Sequence, residues 1–175
     1  SLAAFDEGRY AQAFPSFGSE RMGAPVVAFC RIDDHEIRTR EPVMEPDALI
    51  VQDPTLLHQV DVFGGCKPDG FILINSAKSF DELGLGEFVK GFHHERLLTV
   101  PASEIAREHT GRAVANAALL GGFAALAGVI SPDAVQRAIR ERFAGAVADG
   151  NVAAAKAAHT WVTDELRELS GATPA

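Results

Sequence analysis

Cysteine is nearly absent from this chain: 175 residues carry two, Cys30 and Cys66. They have neither the CxxC spacing of a metal or redox motif nor the density of a disulfide scaffold. Cys30 falls in an apolar strand pattern and reads as a small core residue. This cysteine usage points to a reducing, cytoplasmic compartment, and the opening "SLAAFDEGRY" has no signal-peptide grammar. No apolar run is long enough to span a bilayer. Positive charge is also short: 16 Lys and Arg against 24 Asp and Glu leave a net charge of −8. The cations are scattered along the chain, which argues against nucleic acid and anionic membrane as partners. No GxSxG or Walker pattern occurs. The six histidines form no metal constellation: His93 and His94 sit side by side in a polar loop, and His58 and His159 decorate helices.

What is present is an α/β alternation in a composition ordinary for a globular protein, 47% hydrophobic and 23% charged. "PVVAFCRID" (25–33) alternates as a strand, and "HEIRTREPV" (35–43) is read as an exposed second strand beside it. "DALIVQDPTLL" (47–57) holds a short apolar run without alternation, the mark of a strand covered on both faces. Asp53-Pro54 then supplies a cap and a first helical turn. The unit repeats at "GFILINS" (70–76) and at "RLLTVPASEIAREHTG" (96–111), where a strand, Pro101, a helix and a Gly111 stop follow in order. Such alternation predicts a Rossmann-like, mainly parallel sheet flanked by helices, with right-handed crossovers.

After Gly111 the pattern becomes helical. "AVANAALLGGFAALAGVI" (113–130) is apolar nearly all round, so it reads as a buried helix in which Gly121, Gly122 and Gly128 admit close neighbours. "SPDAVQRAIRERFAG" (131–145) opens on a Ser131 cap and shows an inward face of Val135, Ala138, Ile139 and Phe143. A last amphipathic helix covers 149–169, with Trp161 gripping the domain or a partner. The whole chain, 1–175, is expected to form one domain. It begins on the finish of a helix without a start, with Leu2, Ala3 and Phe5 ahead of Gly8. About 15–20 residues forming a strand, a turn and a first helical turn are therefore expected upstream.

The most unusual stretch is "AQAFPSFGSERMGAPVVAF" (11–29), a loop dense in Gly and Pro that carries Phe14, Phe17 and Met22 beside Glu20-Arg21. Either it folds into this domain's core or something docks on it. The motif FPSFG-x-ER-x-GAPV, running from Phe14 through Ser16, Gly18, Glu20 and Arg21 to Val26, resembles the gamma subunit of the 2-oxoacid:acceptor oxidoreductases, typified by pyruvate:ferredoxin oxidoreductase. The likeness continues through 45–57, 70–79, 99–108 and 116–131, and spans Tyr10 to about Phe143. Family members begin with a strand and a GxGGQG turn, neither of which is present here.

The resemblance implies a non-catalytic α/β subunit of a CoA-acylating enzyme. Thiamine diphosphate, magnesium and 4Fe-4S clusters would be held by other subunits, of alpha, beta and ferredoxin-like delta type. Electrons would pass to ferredoxin or an NAD-linked acceptor. Pyruvate is the leading substrate and phenylglyoxylate the runner-up. Phe14, Phe17, Arg21 and Met22 then become docking candidates, and Ser16, Gly18 and Glu20 candidates for lining a coenzyme A channel. From fold alone, a stand-alone nucleotide-binding domain is the alternative.

Overall fold

The computed structural model describes residues 1–16 and 25–171. The chain opens with a short helix, α1 (Leu2–Asp6), and an antiparallel ribbon of β1 (Tyr10–Ser16) and β2 (Val27–Asp33). Three parallel strands follow, β3 (Ala48–Val51), β4 (Phe71–Asn75) and β5 (Leu97–Val100), with β4 central. A 3-10 turn at Pro54–His58 leads out of β3, and α2 (Gly86–Val89) lies between β4 and β5. The C-terminal part is helical: α3 (Ala102–Thr110), α4 (Asn116–Ala127), α5 (Pro132–Arg142) and α6 (Gly145–Gly171). The expected α/β architecture, a parallel sheet with a helical C-terminal part, is the one observed.

The apolar strand runs explain the layers. Successive side chains of a strand point to opposite faces. Leu73, Leu98 and Val100 accordingly meet α4 and α6 residues such as Leu119, Ala158 and Val162. Ile72, Ile74, Val51 and Leu97 face the other way, into a layer built from Leu57, Phe63, Phe80, Phe88 and Phe92. Within that layer Phe63 and Phe88 stack with ring centroids 4.2 Å apart, and Phe92 lies 4.7 Å from Phe88. In-phase pairing, Leu49 with Ile72, Leu73 with Leu98 and Ile74 with Thr99, keeps each face continuous across the sheet.

Small residues set the helix packing. A Cβ placed on Gly121 would come within 2.0 Å of the Ala155 carbonyl oxygen, so α4 and α6 cross with their backbones nearly touching. Gly122 faces Val162 and Leu73 with room at the limit of ordinary contact. Gly128 is different from what its sequence context suggests. It has open space around it and a φ of +64°, and it ends α4 as a left-handed cap rather than admitting a neighbour. Gly111 stops α3 in the same way, as expected. Ser131 caps α5 by accepting from the Ala134 N–H at 3.1 Å.

Several local expectations are corrected. Residues 35–43 form no strand. The partner of β2 is Tyr10–Ser16, in a register that runs from Tyr10 opposite Asp33 to Ser16 opposite Val27. Cys30 is exposed: the ribbon face it shares with Ala13, its partner across the ribbon, packs on the domain only at Ala11 and Ile32 and is uncovered from Ala13 and Cys30 outward. In α1 it is Ala3 and Ala4 that turn inward, against Ala117, Ala124 and Val135, while Phe5 is 73% exposed. Phe143 lies past the end of α5 and is half-exposed, and Asn116 begins α4 rather than sitting inside it. Trp161 stands on α6 at 43% exposure.

Candidate functional site

Two features concentrate polar and apolar groups in unusual settings, the β1–β2 ribbon and a cleft at the carboxyl ends of the parallel strands. The ribbon is anchored at its base. Ala11 and Ile32 pack into the cluster formed by α1, α4, α5 and α6. Arg9, just ahead of β1, pairs with Asp34 at 2.9 Å and donates to the Val129 carbonyl, while Glu7 accepts from the Ser131 N–H at 3.1 Å. Farther out, one ribbon face carries Gln12, Phe14 and Ser16 opposite Arg31, Phe29 and Val27. The rings of Phe14 and Phe29 meet at 5.6 Å, and the Arg31 guanidinium lies 6.0 Å from the Phe14 centroid while donating to the Pro42 carbonyl. Gln12 Oε1 and Arg31 Nη1, at facing positions, are buried without a partner among the described residues. The other face presents Ala13, Pro15, Ala28 and Cys30, all exposed, and the apolar surface continues to Val26, which is 78% exposed.

Of the site residues expected from sequence, Phe14 and Ser16 belong to β1. Phe14 is half-buried against the ribbon's own aromatic and cationic neighbours, and Ser16 is exposed at the strand end. Phe17, Gly18, Glu20, Arg21 and Met22 lie outside the described residues.

Sequence patterning reached only one side of the cleft, where Asp53-Pro54-Thr55 closes a strand at its carboxyl end and reads equally as a helix cap. The cleft encloses about 520 Å³ beyond β3, β4 and β5, between Thr55, His58, Ser76, Lys78, Ser103 and Glu104. Its floor is Asn75, only 8% exposed. The Asn75 amide nitrogen donates to the Gln52 carbonyl at 2.9 Å and to the Ser103 hydroxyl at 2.8 Å, and Oδ1 accepts from the Ser103 N–H at 3.1 Å. Gln52 in turn donates from its side chain to Asn116 Oδ1 at 2.7 Å. This chain of amides ties the ends of β3 and β4 to the starts of α3 and α4. The carboxyl edge of a parallel sheet is where α/β proteins collect ligands. The signal that would have found it is the polar residue closing each apolar run, Gln52 after "ALIV" and Asn75 after "FILI".

Acid–base chemistry is modest here. Asp53 accepts from the backbone N–H and hydroxyl of Thr55, at 2.9 and 2.7 Å, and these bonds hold its carboxyl below the ordinary range. Burial, with the Asp61 carboxylate nearby, pushes the Cys66 thiol up, so it stays protonated at neutral pH and is a poor nucleophile. Among the described residues no hydroxyl or thiol is hydrogen-bonded to an imidazole, and no three His, Cys, Asp or Glu side chains gather as metal ligands.

A sequence model of the pyruvate ferredoxin/flavodoxin oxidoreductase family matches residues 1–161. The chain belongs to this family. Curated relatives include the pyruvate synthase subunit PorC of Methanothermobacter marburgensis, 43% identical over 90% of this chain and 83% of its own length. The pyruvate/ketoisovalerate oxidoreductases common subunit gamma of Thermococcus kodakarensis is 46% identical over 89% of this chain and 83% of its own. Among solved structures, the pyruvate oxidoreductase subunit PORC of Thermotoga maritima superposes with a TM-score of 0.75 at 32% identity, covering 91% of this chain and 83% of that one. A keto/oxoacid ferredoxin oxidoreductase gamma subunit from Geobacter sulfurreducens shares the fold, with a TM-score of 0.62 at 22% identity over 93% of this chain and 86% of that one. The family match reaches beyond the Tyr10–Phe143 span of the sequence resemblance and takes in most of α6.

Proposed function

We propose that this chain is the non-catalytic gamma subunit of a CoA-acylating 2-oxoacid oxidoreductase. The observation that carries the reading is family membership across residues 1–161, together with relatives named as subunits that align over about nine-tenths of the chain. The holoenzyme decarboxylates a 2-oxoacid oxidatively and releases an acyl-CoA, passing electrons to ferredoxin or an NAD-linked acceptor. Pyruvate stands first, because the form of the 14–26 loop and the names of the relatives agree on it. A branched-chain 2-oxoacid stands second, because some of the relatives' names pair pyruvate with ketoisovalerate.

Thiamine diphosphate, magnesium and the 4Fe-4S clusters belong, on this reading, to alpha, beta and delta-type partners. The residues of this chain do not fit a cluster: one thiol is on β2 and the other in the loop before β4, and two thiols cannot supply four thiolate ligands. The contribution of the gamma chain is surface. The ribbon and the residues that join its two strands, with Phe14, Phe17, Arg21 and Met22, dock the subunit on its catalytic partners, while Ser16, Gly18 and Glu20 line the coenzyme A approach. The exposed apolar residues Pro15, Val26 and Ala28, on the outer part of the ribbon that the structure describes, suit that role.

The test is assembly and turnover. A tagged chain should co-purify from its native source with three kinds of partner subunit. The complex should reduce a viologen dye in a pyruvate- and CoA-dependent manner, and removal of the chain should abolish that turnover. A chain that purifies alone, or a complex equally active without it, would overturn the proposal. Nucleotide binding by the solitary chain would instead favour a stand-alone binding domain.

A further inference from the structure

We draw no further inference here: the strongest candidate, the cleft at the carboxyl ends of β3, β4 and β5, has its buried Asn75 amide fully bonded within the protein and carries both Lys78 and Glu104 on its wall, so nothing in the structure shows which ligand would fill it.

Discussion

Asn75 joins three backbone or hydroxyl groups that sequence places 23 and 28 residues away. A buried amide so placed is costly to remove, since the Gln52 carbonyl and the Ser103 N–H lose the partner that ties them together at the floor of the cleft. Asn75→Ala should destabilise the subunit by about 2–3 kcal/mol, or roughly 4–12 °C in Tm for a chain of this size. Asn75→Asp should be no better, because it turns a carboxylate oxygen toward the Gln52 carbonyl. Thermal unfolding of both variants checks this, and an unchanged Tm would remove Asn75 from the framework.

Asp53 offers a pH readout. Its folded pKa is depressed, by hydrogen bonds to the Thr55 hydroxyl and N–H, so its support for the 3-10 turn is present above the unfolded value and is lost as pH falls through the folded one. Thr55→Val removes the hydroxyl and should raise the Asp53 pKa toward the ordinary value of about 3.9. Carboxyl NMR titration measures it directly, and no upward shift would show that the hydroxyl is not the cause.

At the level of elements, the helical layer depends on how closely α4 approaches α6. The apolar faces could pack at many distances; the pair Gly121 and Ala155 selects the shortest. Gly121→Ala sets a Cβ against a carbonyl oxygen that cannot move without moving α6. It should cost upward of about 2 kcal/mol. Gly122→Ala meets side-chain methyls of Val162, Leu73 and Val100, at 3.3, 3.4 and 3.8 Å, and should cost clearly less. Urea unfolding of the two variants gives the comparison, and equal losses would show that the crossing is not set at Gly121. The ribbon is the opposite kind of element. A two-stranded sheet is marginal alone, and this one packs Ala11 and Ile32 into the helical cluster at one end and pairs Phe14 with Phe29 farther out.

At the scale of the whole molecule, that pairing divides the ways in which Phe14 can matter. If the ribbon docks the subunit, truncating Phe14 and Phe17 together removes two anchors worth about 2 kcal/mol each and weakens assembly about a thousandfold. Phe14→Ala with Phe17→Ala should then leave the isolated chain folded and reduce its recovery in the complex. Ser16→Ala should instead raise the KM for coenzyme A without loss of assembly. Pull-down with the partner subunits, alongside circular dichroism of the free chain, separates the outcomes. A double variant that unfolds alone, with normal assembly of whatever stays folded, would mark the aromatics as part of this chain's own framework.

The sequence by itself determined the parallel strands, the helix stops and the family. A run such as "ILI" has no polar face to offer water, so it must lie between two layers, and Gly111 and Ser131 end or begin helices through contacts a few residues away. The loop motif is likewise legible in a line of text. Which strand β2 pairs with was decided only by the tertiary structure. Pro15 weakens the strand signal of residues 10–16 but is tolerated in a ribbon with two open edges, so the true partner looked like loop and a charged neighbour looked like strand. The outward turn of Cys30 and the amide chain through Asn75 are non-local in the same way. Each depends on which surface the rest of the chain leaves uncovered, and a residue's neighbours in sequence do not set that.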